Sequence, residues 1–176
     1  FKLDRLAPAN HIEHTNAHDA MADVRATIGI ARIIKDTQPK FFNYALSLND
    51  KKEVAQLVKP LYPMLLTTSS FGYKSSFTRL VTSICNHPEY NDRSIVFNLN
   101  QDPEIFLELE SEELKTLTFS KKSDLPKGIE KLDLSELVYN KSPMFVCSPN
   151  SDNFKLSPIL IEKFELNLDK CLKNLR

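Results

Sequence analysis

A single long amphipathic helix, followed by a run of short strands, is the feature that most constrains the fold of this chain. Between Asp19 and Asp36 the apolar residues recur at spacings of three and four, so they share one face of a helix. Asn16 is the expected N-cap. Pro39 is expected to stop the helix, because proline disfavours helical backbone in the residue before it. The shared face carries Met21, Val24, Ile28, Ala31 and Ile34.

After Pro60 the pattern changes from helical to extended. Two short helices are expected before the change, at 40–48 and at 50–58 with Asp50 as cap. Beyond it, apolar and β-branched segments bounded by polar turns predict strands, and 105–109 reads as a short strand or a turn. Ser111 is the expected cap of a further helix. The predicted strands are 62–68, 78–84, 94–99, 132–134 and 143–147, and the last predicted helices are 158–164 and 168–175.

This order of elements predicts an α+β chain made of two units. Residues 1–38 are expected to end a larger α/β domain, and 39–176 to form a small antiparallel β-barrel decorated with helices. A start at Phe1 rather than at Met is typical of a piece cut from a longer chain. The aromatic residues expected in the barrel core are Phe71, Phe97, Phe106 and Phe145.

Composition narrows the class of protein. The 176 residues are 41% hydrophobic and 26% charged, which is typical of a globular protein and argues against disorder. No apolar run approaches the roughly 20 residues that cross a bilayer. The three cysteines lie far apart at no metal-ligand spacing, so reduced thiols and a cytoplasmic location are expected.

Charge is unevenly distributed along a chain whose formal net charge is zero. Residues 39–100 carry seven Lys/Arg against four Asp/Glu, and residues 101–136 carry five against ten. The basic excess suits an anionic partner. Random scatter of surface charge explains a difference of this size equally well, so charge alone does not predict a nucleic-acid binder.

His18 and Asp23 are the strongest candidates for catalysis. Five helical residues turn through about 500°, which leaves the two side chains roughly 140° apart if both are helical. Asp23 is therefore predicted in the first turns of the helix, with His18 at or before its start. A carboxylate supplies the hard oxygen that Mg²⁺ prefers, and a neutral imidazole accepts a proton from an attacking water. Taken alone the spacing is weak, and the alternative is an ordinary helix start.

The surrounding residues strengthen the assignment. The segment 10–24, Asn-His-Ile-Glu-His-Thr-Asn-Ala-His-Asp-Ala-Met-Ala-Asp-Val, resembles the last active-site motif of bacterial exonuclease I, a family of DEDD-type 3′–5′ exonucleases. The resemblance continues in order along the chain. It runs through Ala26–Ile28, Gln38–Pro39, Phe42–Tyr44, Phe71–Gly72, His87–Glu89, Glu108–Ser111 and Cys171–Leu175.

The resemblance implies an RNase H-like exonuclease domain ending near residue 38, followed by an SH3-like barrel. It further implies degradation of single-stranded DNA from the 3′ end to 5′-mononucleotides with Mg²⁺, with His18 catalytic and Asp23 both catalytic and a metal ligand. The family's earlier Asp-x-Glu motif and second Asp do not occur before His18. The chain alone is therefore expected to be inactive, because one Asp and one His do not hold two metals.

The same resemblance places single-stranded DNA along the barrel, where cations contact phosphates and aromatic rings stack on bases. A packing or solvated role is at least an equal alternative for each candidate. A single-stranded-DNA-binding protein is a further candidate partner, and a monomeric parent with no membrane role is expected. The DNA-binding candidates are Tyr44, Lys51, Lys59, Tyr62, Lys74, Arg79 and Lys122.

Two other functions remain open from the sequence. One is a non-catalytic SH3-like module that binds single-stranded DNA or a protein. The other, weaker, is a protein-interaction barrel with no DNA role, against which salt-sensitive DNA binding would argue.

Overall fold

The computed structural model describes residues 2–13, 19–73, 75–147 and 155–175, with Lys122 described by its backbone alone. The chain divides into two compact units, Phe1–Ser47 and Leu48–Arg176. The boundary predicted between residues 38 and 39 stays a prediction. In its described residues, 2–13 and 19–47, the first unit contains three helices, which are α1 (Leu3–Ala9), α2 (Ala20–Thr37) and α3 (Pro39–Ser47).

The long helix α2 confirms the predicted amphipathic helix to within one residue at each end. Its N-cap is Asp19, whose carboxylate accepts the Ala22 N–H at 3.1 Å, and not the expected Asn16, which lies outside the described residues. Asp19 is nearer the first turn, where its oxygen reaches an unpaired amide. The helix ends at Thr37, before Pro39, as predicted.

Within the part of the second unit that the structure describes, the fold is built on one antiparallel sheet of five strands in the order β4-β3-β2-β1-β5. Pro63 of β1 pairs with Thr82 of β2 and Thr67 with Thr78, and Arg93 of β3 pairs with Val138 of β4. The strands are β1 (Pro63–Thr67), β2 (Thr78–Asn86), β3 (Arg93–Asn98), β4 (Leu134–Val138) and β5 (Met144–Cys147).

The predicted antiparallel sheet is confirmed, but the barrel does not close. Across the described residues, β4 and β5 form the two edges of the sheet and do not pair with each other. Strand β4 also begins two residues later than the segment 132–134 predicted, because its backbone pairs with β3 from Leu134 onward. An edge strand has only one partner to hold it, so its limits follow the partner's register.

Helices cover this sheet and correct two sequence expectations. The segment 105–109 contributes to a short helix, not a strand, since Asp102 accepts the Glu104 N–H at 3.1 Å and only Phe106 turns inward. The cap of the next helix is Glu110 in a capping box with Glu113, and not Ser111. The helices are α4 (Lys51–Leu57), α5 (Glu104–Leu107), α6 (Ser111–Phe119), α7 (Pro158–Lys163) and α8 (Leu168–Lys173).

The core of the second unit lies between the sheet and its last two helices. Leu80 and Leu99 are completely buried and pack with residues of α8. The expected core aromatics Phe71, Phe97, Phe106 and Phe145 are all buried. Asn174 ties α8 to the sheet by donating to the carbonyls of Leu99 and Gln101 at 3.0 and 2.8 Å.

None of the helices in the described part of the chain has the length and apolar character required to cross a membrane.

Candidate functional site

Asp23 lies in the first turn of α2 and is half-buried, which confirms its predicted position. Its N–H donates to the Asp19 carbonyl at 3.0 Å, and its own carbonyl accepts from the Thr27 hydroxyl at 2.8 Å. His18 precedes the capping residue in the chain but lies outside the described residues, so its distance from Asp23 stays a prediction.

The turn from Lys59 to Tyr62 combines a cation with an aromatic ring, as the sequence predicts. The Lys59 Nζ lies 5.9 Å from the centroid of the Tyr62 ring. The turn is fixed to β2, because Leu61 donates its N–H to Ser83 at 3.0 Å and Thr82 donates its hydroxyl to the Tyr62 carbonyl at 3.1 Å. This anchoring holds the exposed ammonium and the half-buried ring at a defined edge of the sheet.

Lys51 is exposed at the first position of α4, a helix capped by Asp50 through the Lys52 N–H at 2.8 Å. Its positive charge adds to the lowering of the Asp92 pKa, for which the hydrogen bond from Arg93 is the largest cause. Within the described part of the chain, neither Lys51 nor Lys59 forms an ion pair. Both lysines are therefore exposed and form no close ion pair in that part of the chain.

Arg79 differs from the two lysines, because its charge has a partner. Its guanidinium donates to Asp133 at 2.7 and 2.6 Å and lies 4.7 Å from the centroid of the Phe71 ring. Asp133 also accepts from Asn98 at 2.8 Å. These contacts give Arg79 a structural role, and its contact with DNA stays a prediction.

The structure describes the other three DNA-binding candidates to different extents. Tyr44 is half-buried on α3 in the first unit, and its carbonyl accepts from the Ser47 hydroxyl at 2.8 Å. Lys74 lies outside the described residues. Lys122 begins a 3₁₀ turn, Lys122–Asp124, and nothing further is described of its side chain.

The register of the sheet separates the candidates of the second unit into two groups. The Lys59–Tyr62 turn precedes Pro63, which pairs with Thr82 toward the end of β2 that leads to the β2–β3 hairpin. We call this the hairpin end of the sheet. Helix α4, which carries Lys51, packs on the 3₁₀ turn Tyr139–Lys141 that follows β4 at the same end. Arg79 pairs with Leu66 toward the opposite end.

The hairpin from His87 to Arg93 carries a cluster that the sequence analysis did not identify. Arg93 donates to Asp92 at 3.0 Å and to Glu136 at 2.8 Å, and these hydrogen bonds raise the pKa of its guanidinium. Tyr90 packs against it, with the Arg93 guanidinium carbon 4.3 Å from the ring centroid. The sequence pattern that could have identified this cluster is a tyrosine in a polar turn between two predicted strands.

Metal ligands are sparse in the described part of the chain. Within residues 2–13, 19–73, 75–147 and 155–175, no three His, Cys, Asp or Glu side chains gather as a metal site would require. Asp23 therefore provides one carboxylate rather than a complete site.

Residues 49–176 match the family model described as the Exonuclease I SH3-like domain. This chain belongs to the exonuclease I SH3-like domain family. Two proteins named exodeoxyribonuclease I align along nearly the whole chain. The one from Haemophilus influenzae is 33% identical over 99% of this chain, and the one from Escherichia coli is 35% identical over 100%.

Solved structures of exonuclease I agree with the sequence comparison. Escherichia coli exonuclease I in complex with a dA16 oligonucleotide superposes with a TM-score of 0.86 at 33% identity, covering 99% of this chain and 36% of that one. The zinc-bound form of its single-stranded DNA complex superposes with a TM-score of 0.85 at 32% identity, covering 99% and 37%.

The chain spans about a third of the length of the curated relatives that it matches, at 37% of the Haemophilus influenzae protein and 36% of the Escherichia coli protein.

Proposed function

We propose that this chain is part of a 3′–5′ exodeoxyribonuclease that hydrolyses single-stranded DNA to 5′-mononucleotides, in DNA repair and recombination. The observation that carries the proposal is the position of Asp23 in the first turn of α2, five residues after His18 in the chain, within a family of exonuclease I proteins. Relatives named exodeoxyribonuclease I align with both units of the chain and not only with the SH3-like part.

In this proposal the SH3-like unit guides the DNA strand. Lys51 and Lys59 present unpaired cations at the hairpin end of the sheet, and Tyr62 lies beside Lys59. Cations that track phosphates and rings that stack on bases are the two elements of sites for single-stranded nucleic acid. The same observation favours the second candidate function, a DNA-binding module that performs no chemistry itself.

The metal requirement does not fit the described residues alone. Two-metal hydrolysis needs several carboxylates around ions about 4 Å apart, and the described part of the chain has no such cluster. Asp23 would contribute one hard oxygen ligand to a site that other residues of the parent protein complete.

The role proposed for His18 is that of a general base. A neutral imidazole accepts a proton from a water molecule as its oxygen attacks the terminal phosphodiester. The new bond joins that oxygen to phosphorus, and the bond from phosphorus to the 3′ oxygen of the preceding nucleotide breaks. A 5′-mononucleotide leaves, and the 3′ oxygen of the shortened strand takes up a proton from solvent to become a 3′ hydroxyl.

Release of mononucleotides from a 3′-labelled single-stranded oligonucleotide with Mg²⁺ tests this function. The full-length parent protein is compared with His18→Ala and Asp23→Asn, each of which is expected to abolish release. Asp36→Asn is the matched control, because Asp36 is an exposed carboxylate on the same helix. The 176-residue chain by itself is expected to release nothing.

Full activity in the His18 and Asp23 variants would show that neither residue is catalytic and that both belong to an ordinary helix start. A parent that binds single-stranded DNA tightly but releases no nucleotide would leave the binding module as the function.

The same proposal includes a cytoplasmic location, a monomeric parent protein and a single-stranded-DNA-binding protein as partner. The cysteines support the first of these, because Cys85, Cys147 and Cys171 are all unpaired thiols, as a reducing compartment would leave them. Co-sedimentation of the parent with a single-stranded-DNA-binding protein tests the last.

A further inference from the structure

We propose that Tyr90 is a platform on which a DNA base stacks, at a position on the SH3-like unit that precedes or follows the Lys59 phosphate contact. The inference rests on the proposed function, because it requires single-stranded DNA to cross the hairpin end of the sheet. It adds a residue that the sequence analysis did not select.

Tyr90 lies in the tight connection between β2 and β3. The base of this hairpin is closed by the His87 N–H, which donates to the Arg93 carbonyl at 3.0 Å. Inside the turn, the His87 Nδ1 accepts the N–H groups of Glu89 and Tyr90 at 3.1 and 3.3 Å. These hydrogen bonds fix the backbone that carries the tyrosine.

The tyrosine ring also contacts two other side chains of the hairpin. The Arg93 guanidinium lies 4.3 Å from its centroid, and the His87 ring lies 4.8 Å away at a tilt of 51°. The side chains of Arg93 and His87 are only 22% and 15% exposed, whereas Tyr90 is 49% exposed. About half of the surface of Tyr90 is therefore exposed while its ring contacts two less exposed side chains, and a fixed ring loses little conformational entropy when a base stacks on it.

Arg93 supports the ring and does not serve as a phosphate ligand. Its Nε and Nη1 atoms are bonded to Asp92 and Glu136 at 3.0 and 2.8 Å, so two carboxylates already match its charge. Glu136 also lies 3.7 Å from the Nε2 of His87. The phosphate-binding charge at this end of the sheet comes instead from Lys51 and Lys59.

The hairpin that carries Tyr90 lies a short distance along β2 from the Lys59–Tyr62 turn. Ser83 of β2 accepts from Leu61 in the Lys59–Tyr62 turn, and the hairpin begins four residues after Ser83. At about 3.3 Å per strand residue, that separation is on the order of 13 Å. A short stretch of single strand can therefore place a phosphate on Lys59 and a base on Tyr90. By contrast Tyr73, which is 86% exposed, is at the opposite end with Arg79, whose charge Asp133 matches.

The test measures the affinity of the full-length parent protein for fluorescein-labelled single-stranded DNA by anisotropy, without divalent metal so that no strand is cut. Tyr90→Ala and Tyr90→Leu are expected to weaken binding by about 5- to 100-fold, because one stacked base is lost. Tyr90→Phe keeps the ring and is expected to bind within about twofold of the parent. Tyr73→Ala is the matched control and is expected to leave the affinity unchanged.

An oligonucleotide series with single abasic sites identifies the stacked base. An abasic site at one position is expected to weaken binding by the parent but not by Tyr90→Ala. The variant has already lost the ring on which that base stacks, so removal of the base costs it nothing more. The slope of log affinity against log salt is expected to be equal in the two proteins, because Tyr90 neutralises no phosphate.

Equal affinity of Tyr90→Ala and the parent would overturn the inference while leaving the proposed function intact. Equal losses in Tyr90→Phe and Tyr90→Ala would also overturn it, because the hydroxyl rather than the ring would then be the contact. A parent that does not bind single-stranded DNA would overturn both the inference and the proposed function.

Discussion

One guanidinium nitrogen of Arg79 donates to both carboxylate oxygens of Asp133, which lies 54 residues later in the chain, at 2.7 and 2.6 Å. The pair joins β2 to the segment that leads into β4. It is half-buried, with side-chain exposures of 27% and 31%, and it also receives a hydrogen bond from Asn98. Arg79 therefore has a structural partner before any DNA arrives.

Replacement of Asp133 is expected to destabilise the protein. Asp133→Ala leaves the Arg79 guanidinium and the Asn98 amide without their acceptor, which costs about 1–3 kcal/mol for a partly buried charged group. Urea unfolding measures the loss. Glu112→Ala is the control, because its 3.8 Å pair with Lys115 is exposed and is worth about 0.5 kcal/mol or less. Equal losses in the two variants would show that the Asp133 contacts contribute nothing particular to stability.

Lys59→Ala is expected to weaken the binding of single-stranded DNA and to reduce the salt dependence of that binding. Loss of one phosphate contact lowers the slope of log affinity against log salt by about 1. Anisotropy titrations of the full-length parent at several salt concentrations measure the slope. Lys115→Ala removes an equally exposed lysine from the acidic helix α6 and is expected to change neither quantity. An unchanged slope for Lys59→Ala would exclude a phosphate contact at that residue.

Leu80→Ala is expected to be among the most destabilising substitutions in the sheet. Leu80 is fully buried in the cluster that joins the central strands to α8, and an alanine there leaves a cavity that costs about 2–5 kcal/mol. Leu107→Ala, at a side chain that is 76% exposed, is expected to cost about 0.5 kcal/mol or less. Thermal unfolding of both variants checks the difference, and similar melting temperatures would show that this cluster is not the core.

Burial of Cys171 predicts a stability that declines at high pH. Desolvation raises the pKa of this thiol from 9.0 to about 11, and its Sγ donates to the Asn100 side chain at 3.1 Å. The folded state favours the protonated thiol. Its contribution is therefore complete below pH 9, and it is lost as the pH rises through about 11.

Urea unfolding between pH 8 and pH 11 measures this decline against Cys171→Ala, which removes the titrating thiol. The difference between the two proteins is expected to shrink by about 2 kcal/mol across that range. Thiol labelling at pH 8 provides a second check, since exposed Cys85 should react at once and Cys171 only on unfolding. Parallel pH profiles would contradict the assignment.

Local sequence signals predicted the elements of this fold well. The periodicity of α2, the stop before Pro39, the strands at β1, β2, β3 and β5, and the buried phenylalanines all follow from residues within a few positions of one another. Errors occurred where two short-range interactions compete. The backbone near Phe106 formed a helix that begins where the Asp102 carboxylate accepts the Glu104 N–H, and Glu110 rather than Ser111 completed the capping box with Glu113.

The candidate site was predicted less completely. The position of Asp23 in the first helical turn follows from the cap and the helical period, and so does not depend on the rest of the fold. The pairing of Arg79 with Asp133 and the support of Tyr90 by Arg93 carried no such signal. The first joins residues far apart in the chain, and the second depends on the exact turn that the hairpin adopts.

The sequence by itself determined most of the secondary structure, the amphipathic helix that carries Asp23 and the resemblance to exonuclease I, because these depend on local spacing and residue type. Only the tertiary structure decided that the sheet stays open, that Lys51, Lys59 and Tyr90 lie toward one end of it, and that Arg79 is neutralised. Those outcomes depend on strand order and register, which bring distant residues together and which no local pattern specifies.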